Sequence, residues 1–115
     1  MSHQEIIQKA YAAFNKRDID TILSFFHAEV DWPNGWEGGY VHGHSEVRDY
    51  WTRQWKELNP NVTPVGFKTL KNDTLQVEVK QVVKSLSGEA IFDGVVYHIY
   101  QFGDGLIKRM EIRTL

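Results

Sequence analysis

The feature that most constrains this chain is a change of hydrophobic period near residue 60. Before it, apolar residues recur every three or four positions; after it, they alternate. Residues 63–70, 74–86, 89–102 and 106–114 are predicted strands. They are joined by Lys71-Asn72-Asp73, Ser87-Gly88 and Gly103-Asp104-Gly105, all short and rich in turn residues. Links of that length permit only antiparallel hairpins. A sheet-forming second half preceded by a helical first half predicts an α+β fold.

The helices of the first half carry local start and stop signals. Ser2 and Glu5 have capping-box spacing, so a helix is predicted from the third residue, with Ile6, Ile7, Ala10, Ala13 and Phe14 on its apolar face. Asn15-Lys16-Arg17 breaks that pattern. Asp18 then caps a second helix whose inner face is Ile19, Ile22, Leu23 and Phe26. A short strand over 29–32, a turn at Pro33-Asn34-Gly35 and a second short strand over 40–42 follow. Ser45 is the expected cap of a third helix reaching residue 58, with Val47, Tyr50, Trp51, Trp55 and Leu58 on one stripe. Asn59-Pro60-Asn61 ends it, because proline cannot continue a helix.

Composition narrows the function. The 115 residues suit one domain, 1–115, with a real core, and 42% apolar and 13% aromatic residues are a globular balance. A net charge of -2 with dispersed Lys and Arg gives no field to recruit nucleic acid or an anionic membrane. No apolar run approaches the roughly 20 residues that span a bilayer. The absence of cysteine removes disulfides, thiol nucleophiles and zinc-thiolate sites together. The N-terminus lacks a signal-peptide pattern, so a cytoplasmic protein is expected.

The third long strand is apolar on both faces: Phe92, Val96, His98, Tyr100 and Phe102 on one, Ile91, Val95, Tyr97 and Ile99 on the other. Such a strand needs cover on both sides. The helices supply one cover, and a second copy of the chain is the expected source of the other. A homodimer packed through the outer sheet face is therefore predicted.

Three stretches together resemble the nuclear transport factor 2-like superfamily, which includes the SnoaL-like cyclases and the ketosteroid isomerases. IIQKAYAAFNKRDIDTILSFFHAEVDW is similar to that group's opening helix pair and first strand. YVHGHSEVRDYW is similar to its lead-in to the third helix, and VVYHIYQFGDGLIKRMEI to its final hairpin. The resemblance implies three N-terminal helices packed on a strongly curved antiparallel sheet, forming a cone with an internal apolar pocket, and often a dimer through the sheet. It says little about chemistry, since this fold hosts isomerases, dehydratases, cyclases, hydrolases and non-catalytic binders. Carried over residue by residue, the isomerase machinery is missing. Trp32 stands where the isomerases place their aspartate base, with Asp31 one residue earlier on the opposite strand face. Ala10 stands at their oxyanion-hole tyrosine, with Tyr11 turned about 100° away. His98 stands at their protonated aspartate. Ketosteroid isomerisation by that mechanism is not expected.

The remaining candidates are weighed against core packing. His98, mid-strand on the inner face, can exchange a proton near neutral pH or can be a core histidine held by one hydrogen bond. Gln81 interrupts the face formed by Leu75, Val77, Val79 and Val83, and a buried amide there requires a partner, whether ligand, water, His98 or backbone. Trp51 and Trp55, four apart, share a helix face; Trp51 matches a pocket tyrosine of the isomerases, while core packing is the default for Trp55. Trp32 and Trp36 flank a turn and suit a pocket mouth. Tyr100 is a pocket donor, Met110 a pocket or core apolar residue, and Asp31 a reserve acid or a histidine-orienting carboxylate.

The densest stretch is HAEVDWPNGWEGGYVHGH, residues 27–44. It raises a metal reading, because His42 and His44 share a face if the segment is extended, with His27 or Asp31 as a third ligand. No recognised ligand spacing is present, so no metal is assigned; His44 is expected near the helix N-terminus, in capping contacts. No nucleophile motif or phosphate loop is present either. The expected function is a SnoaL-like, cofactor-independent isomerase, cyclase or dehydratase for a hydrophobic small molecule. The alternatives are a non-catalytic ligand-binding or dimerisation module, and a scaffold whose pocket is filled by its own aromatics.

Overall fold

The computed structural model describes residues 1–114. The chain runs α1 (His3–Asn15), α2 (Ile19–Ser24), β1 (Phe26–Pro33), β2 (Tyr40–His42), α3 (Gly43–Glu57), β3 (Leu58–Thr69), β4 (Leu75–Ser85), β5 (Ala90–Gly103) and β6 (Leu106–Arg113). The strands form one curved sheet in the order β2-β1-β6-β5-β4-β3. Every pairing is antiparallel except β1 with β6, which is parallel. The sheet is thus mixed rather than purely antiparallel. The cause is topological: β1 reaches β6 from the helical half and no hairpin links the two.

Local signals account for most boundaries. Ser2 and Glu5 form the expected capping box, and the Asp18 carboxylate accepts from the Thr21 N–H and hydroxyl. Three boundaries differ from expectation. Phe26 opens β1 instead of closing α2, because its ring packs against Trp32 and Trp51. The cap of α3 is His42, three residues before the expected cap Ser45, and its N–H is held by the Glu46 carboxylate at 2.8 Å. β3 starts directly at Leu58, so Asn59, Pro60 and Asn61 are paired with Lys84, Val83 and Val82 of β4. An edge strand tolerates prolines, since one side of its backbone has no strand to bond.

The core lies between the three helices and the inner sheet face. Ile7, Val30, Val47, Trp51, Val77, Val79, Tyr100 and Ile107 are all but fully buried. Register shifts occur between Pro64 and Gly66 in β3, between Val83 and Lys84 in β4, and between Gln101 and Phe102 in β5. Such irregularities bend a strand and increase its twist, which is how a sheet this long curls around its own helices. They also alter the reading of β5. Phe92 pairs with Val83 and Ala90 with Lys84, so Ile91 is an extra residue, and both Ile91 and Phe92 reach the mouth of the internal cavity. Ile99, the other strongly apolar outer residue, is already buried within one chain. The ground for a second copy on the outer face narrows to Val95 and the half-buried Tyr97.

Candidate functional site

A cavity of about 390 Å³ opens between the helices and the inner sheet face. α1 contributes Ala10, Tyr11 and Phe14; α3 contributes Tyr50, Trp51 and Gln54; β5 contributes Val96, His98 and Tyr100. Among the described residues, no carboxylate, lysine or arginine lines it. The polar groups are neutral ones set in an apolar wall.

The alternation of β5 points Val96, His98 and Tyr100 inward, as their odd-even spacing requires. α1 lies across them and brings Tyr11 into their midst. The Tyr11 hydroxyl is 2.5 Å from His98 Nδ1 and 2.7 Å from the Tyr100 hydroxyl. Tyr100 is fully buried and His98 is 6% exposed. Burial penalises the charged form of each group. His98 is accordingly pulled down to about 3, and both tyrosines are held above their ordinary value. At neutral pH the three side chains form an uncharged hydrogen-bonded chain.

Tyr11 is the residue that sequence reasoning missed. The 100° turn from Ala10 does not carry it out of the site, because the inner face of α1 is wide enough to bury Ile6, Ile7, Ala10, Tyr11 and Ala13 together. A signal was present: Tyr11 stands four residues after Ile7 and three before Phe14, both on that face. The sequence pattern places Tyr50 only on a helix stripe. It lines the cavity, accepts from Gln54 Nε2 at 3.2 Å, and is pushed up to about 12 by burial.

The tryptophans divide. Trp32 and Trp51 meet edge to face at 5.6 Å and form one wall with Phe26. Trp36, 39% exposed, stands at the mouth. Its loop is organised by Asn34, whose side-chain oxygen accepts from the N–H groups of Trp36 and Glu37 and whose amide donates to Glu37. Glu37 in turn pairs with Arg53 of α3 at 2.9 Å. Trp55 is not a lining residue. It stacks behind Trp51 at 5.8 Å, between Phe14 and the Arg17 guanidinium, and its Nε1 is buried without a partner among the described residues.

Met110 is buried and lines the cavity as expected. Gln81 lines it too, but is half-buried rather than buried, and no described residue hydrogen-bonds its amide. Of the expected partners, neither His98 nor a backbone group is met among the described residues, and the side chain faces the cavity.

Asp31 is not brought to this site. Strand alternation turns it to the opposite face from Trp32, where it pairs with His42 Nδ1 at 2.8 Å and Arg109 at 3.5 Å. His42 Nε2 meets Glu29 at 2.9 Å. Two carboxylates, Asp31 foremost, therefore hold the His42 pKa above its ordinary value. His44 does not converge with it: its Nε2 donates to the Phe26 carbonyl at 2.9 Å, which is not a capping contact. Among the described residues no group of three or more His, Asp or Glu side chains is arranged to hold a metal ion. Among the described residues no helix is long and apolar enough to cross a membrane.

Comparison with solved structures places this geometry in a known fold. An NTF2-like protein of unknown function from Burkholderia pseudomallei superimposes with a TM-score of 0.85 at 21% identity, over 100% of this chain and 92% of that one. TerC, co-crystallized with polyporic acid, gives 0.82 at 30% identity, over 95% of this chain and 88% of its own. A protein of ketosteroid isomerase-like fold from Catenulispora acidiphila, in complex with trimethylamine, gives 0.79 at 15% identity over 98% and 87%. A search of the curated proteins finds no match. The model of the SnoaL-like domain matches residues 7–110, nearly the whole of the helix-and-sheet unit described above, and the chain belongs to the SnoaL-like domain family.

Proposed function

We propose that the chain binds a flat, hydrophobic small molecule in this cavity and acts on it as a cofactor-independent enzyme of the isomerase, cyclase or dehydratase type. The observation that carries this reading is the uncharged Tyr100–Tyr11–His98 chain in a largely apolar, tryptophan-walled cavity. Buried polar groups in an apolar wall fix a ligand's orientation and polarise one of its atoms. TerC, 30% identical, was co-crystallized with polyporic acid, which supports a small-molecule ligand here.

Among the described residues the lining carries no carboxylate, so the carboxylate base of the isomerases has no counterpart there. Catalysis on this reading works by hydrogen-bond polarisation at His98, with the tryptophans excluding water. The same lack of a charged base favours a second reading, a non-catalytic binder that uses the cavity unchanged. A thermal-shift screen of aromatic small molecules against wild type, His98→Ala and His98→Gln separates them. Turnover of a bound ligand by wild type and its loss in both variants supports the enzyme. Equal binding to all three proteins with no turnover supports the binder.

A further inference from the structure

The hydrogen-bonded chain in the cavity has a direction, and the direction selects the ligand. The Tyr100 hydroxyl is fully buried, and among the described residues Tyr11 is its one partner. A phenolic O–H left without an acceptor inside a protein is strongly unfavourable, so Tyr100 donates to the Tyr11 oxygen. The Tyr11 proton then has His98 Nδ1, 2.5 Å away, as its acceptor. The opposite arrangement, Nδ1–H donating to Tyr11, sets a weak N–H donor against a weak phenol acceptor. A phenol is the stronger donor of the two, and a neutral imidazole nitrogen the stronger acceptor. The short separation fits O–H donating to N.

With Nδ1 filled as an acceptor, the neutral ring carries its proton on Nε2. Among the described residues that nitrogen has no hydrogen-bond partner. It is also not a fully buried orphan, since Trp55 Nε1 is the one such side-chain atom among the described residues. Nε2 therefore meets the open cavity that His98 lines.

We infer that Tyr100 and Tyr11 are positioning residues that polarise His98, so that its Nε2–H is the cavity's donor and the site takes a flat apolar ligand bearing an acceptor oxygen, a carbonyl or an enolate. This rests on the ligand-binding reading above and sharpens it. Ligands offering only a donor meet no acceptor at that nitrogen. No proton is transferred in this assignment; a carbonyl bound there is polarised by a neutral donor, and negative charge developing on its oxygen is stabilised.

Two measurements on the full chain test it. Long-range 1H–15N correlation of the labelled protein reads the His98 tautomer directly, and the expected result is Nε2–H. Three bicyclic probes of matched size then read the cavity: 1-indanone as acceptor, indane as neither, indole as donor. 1-Indanone is expected to bind about tenfold more tightly than indane, with indole no better than indane. In Tyr11→Phe the ring loses the donor that fixes it, so the Nδ1–H form rises and the indanone preference falls. An Nδ1–H ring in wild type, or indole bound more tightly than indane, overturns the assignment while leaving a ligand site in place. An Nε2–H ring with no binding of any probe overturns the ligand-binding reading, and this assignment with it.

Discussion

The Tyr11 hydroxyl lies 2.5 Å from His98 Nδ1, although 87 positions separate the two residues in the chain. Removing that hydroxyl without changing the ring's shape leaves a buried tyrosine proton and a buried imidazole nitrogen without their partner. Each orphaned group costs about 1–3 kcal/mol. Tyr11→Phe is therefore expected to lose roughly 2–4 kcal/mol of stability in urea denaturation. A loss below about 0.5 kcal/mol is what a surface substitution gives, and it would sink the buried chain.

His98 makes stability fall in acid. Burial pulls its folded pKa down to about 3, while an unfolded histidine titrates near 6.5. Between those values the unfolded state binds a proton that the folded state refuses, so stability drops as pH falls from about 6.5 toward 3. The slope approaches about 1.4 kcal/mol per pH unit from this one group. Urea midpoints at pH 7 and pH 4.5 should separate more for wild type than for His98→Gln. Equal separations would mean that the imidazole is solvated in the folded chain.

His42 works in the opposite sense. Its pKa is raised by Asp31 first and Glu29 second. Its contribution is present in full below the ordinary histidine pKa and disappears as pH rises through the raised folded value. NMR titration should give His42 a midpoint above 6.5, and Asp31→Asn should move that midpoint down. Asp31→Asn should also leave binding of any cavity probe unchanged, because the pair lies on the other sheet face. Loss of binding would return Asp31 to the site.

The tryptophans should separate by burial. Trp51 is 1% exposed, and Trp51→Ala is expected to cost about 3–5 kcal/mol. Trp36 is 39% exposed at the cavity mouth, so Trp36→Ala should change stability by no more than about 0.5 kcal/mol. Its effect should appear in probe affinity instead. A large stability loss from Trp36→Ala would make that residue core rather than rim.

Much of the fold is legible in local pattern. Ser2 with Glu5, Asp18 with Thr21, and the turn residues before β4, β5 and β6 act on neighbours in the chain, and each appears where its spacing puts it. The outcome of the two His42 and His44 imidazoles was not legible. Their spacing brings them together in an extended segment, but α3 begins between them and sends them to different partners. Ile91 likewise keeps its outward parity until a register shift turns it to the cavity mouth.

The amino-acid sequence by itself determined the helical half, the hairpin half, the inward parity of His98 and Tyr100, and the separation of Asp31 from Trp32. All four follow from backbone periodicity, which depends on residues a few positions apart. Only the tertiary structure decided that Tyr11 joins His98, that Trp55 stands behind the cavity wall, and that Gln81 faces open space. Those outcomes depend on how α1 crosses β5 and on where the strands shift register. Such relations arise between segments distant in the chain, and no periodicity within either segment encodes them.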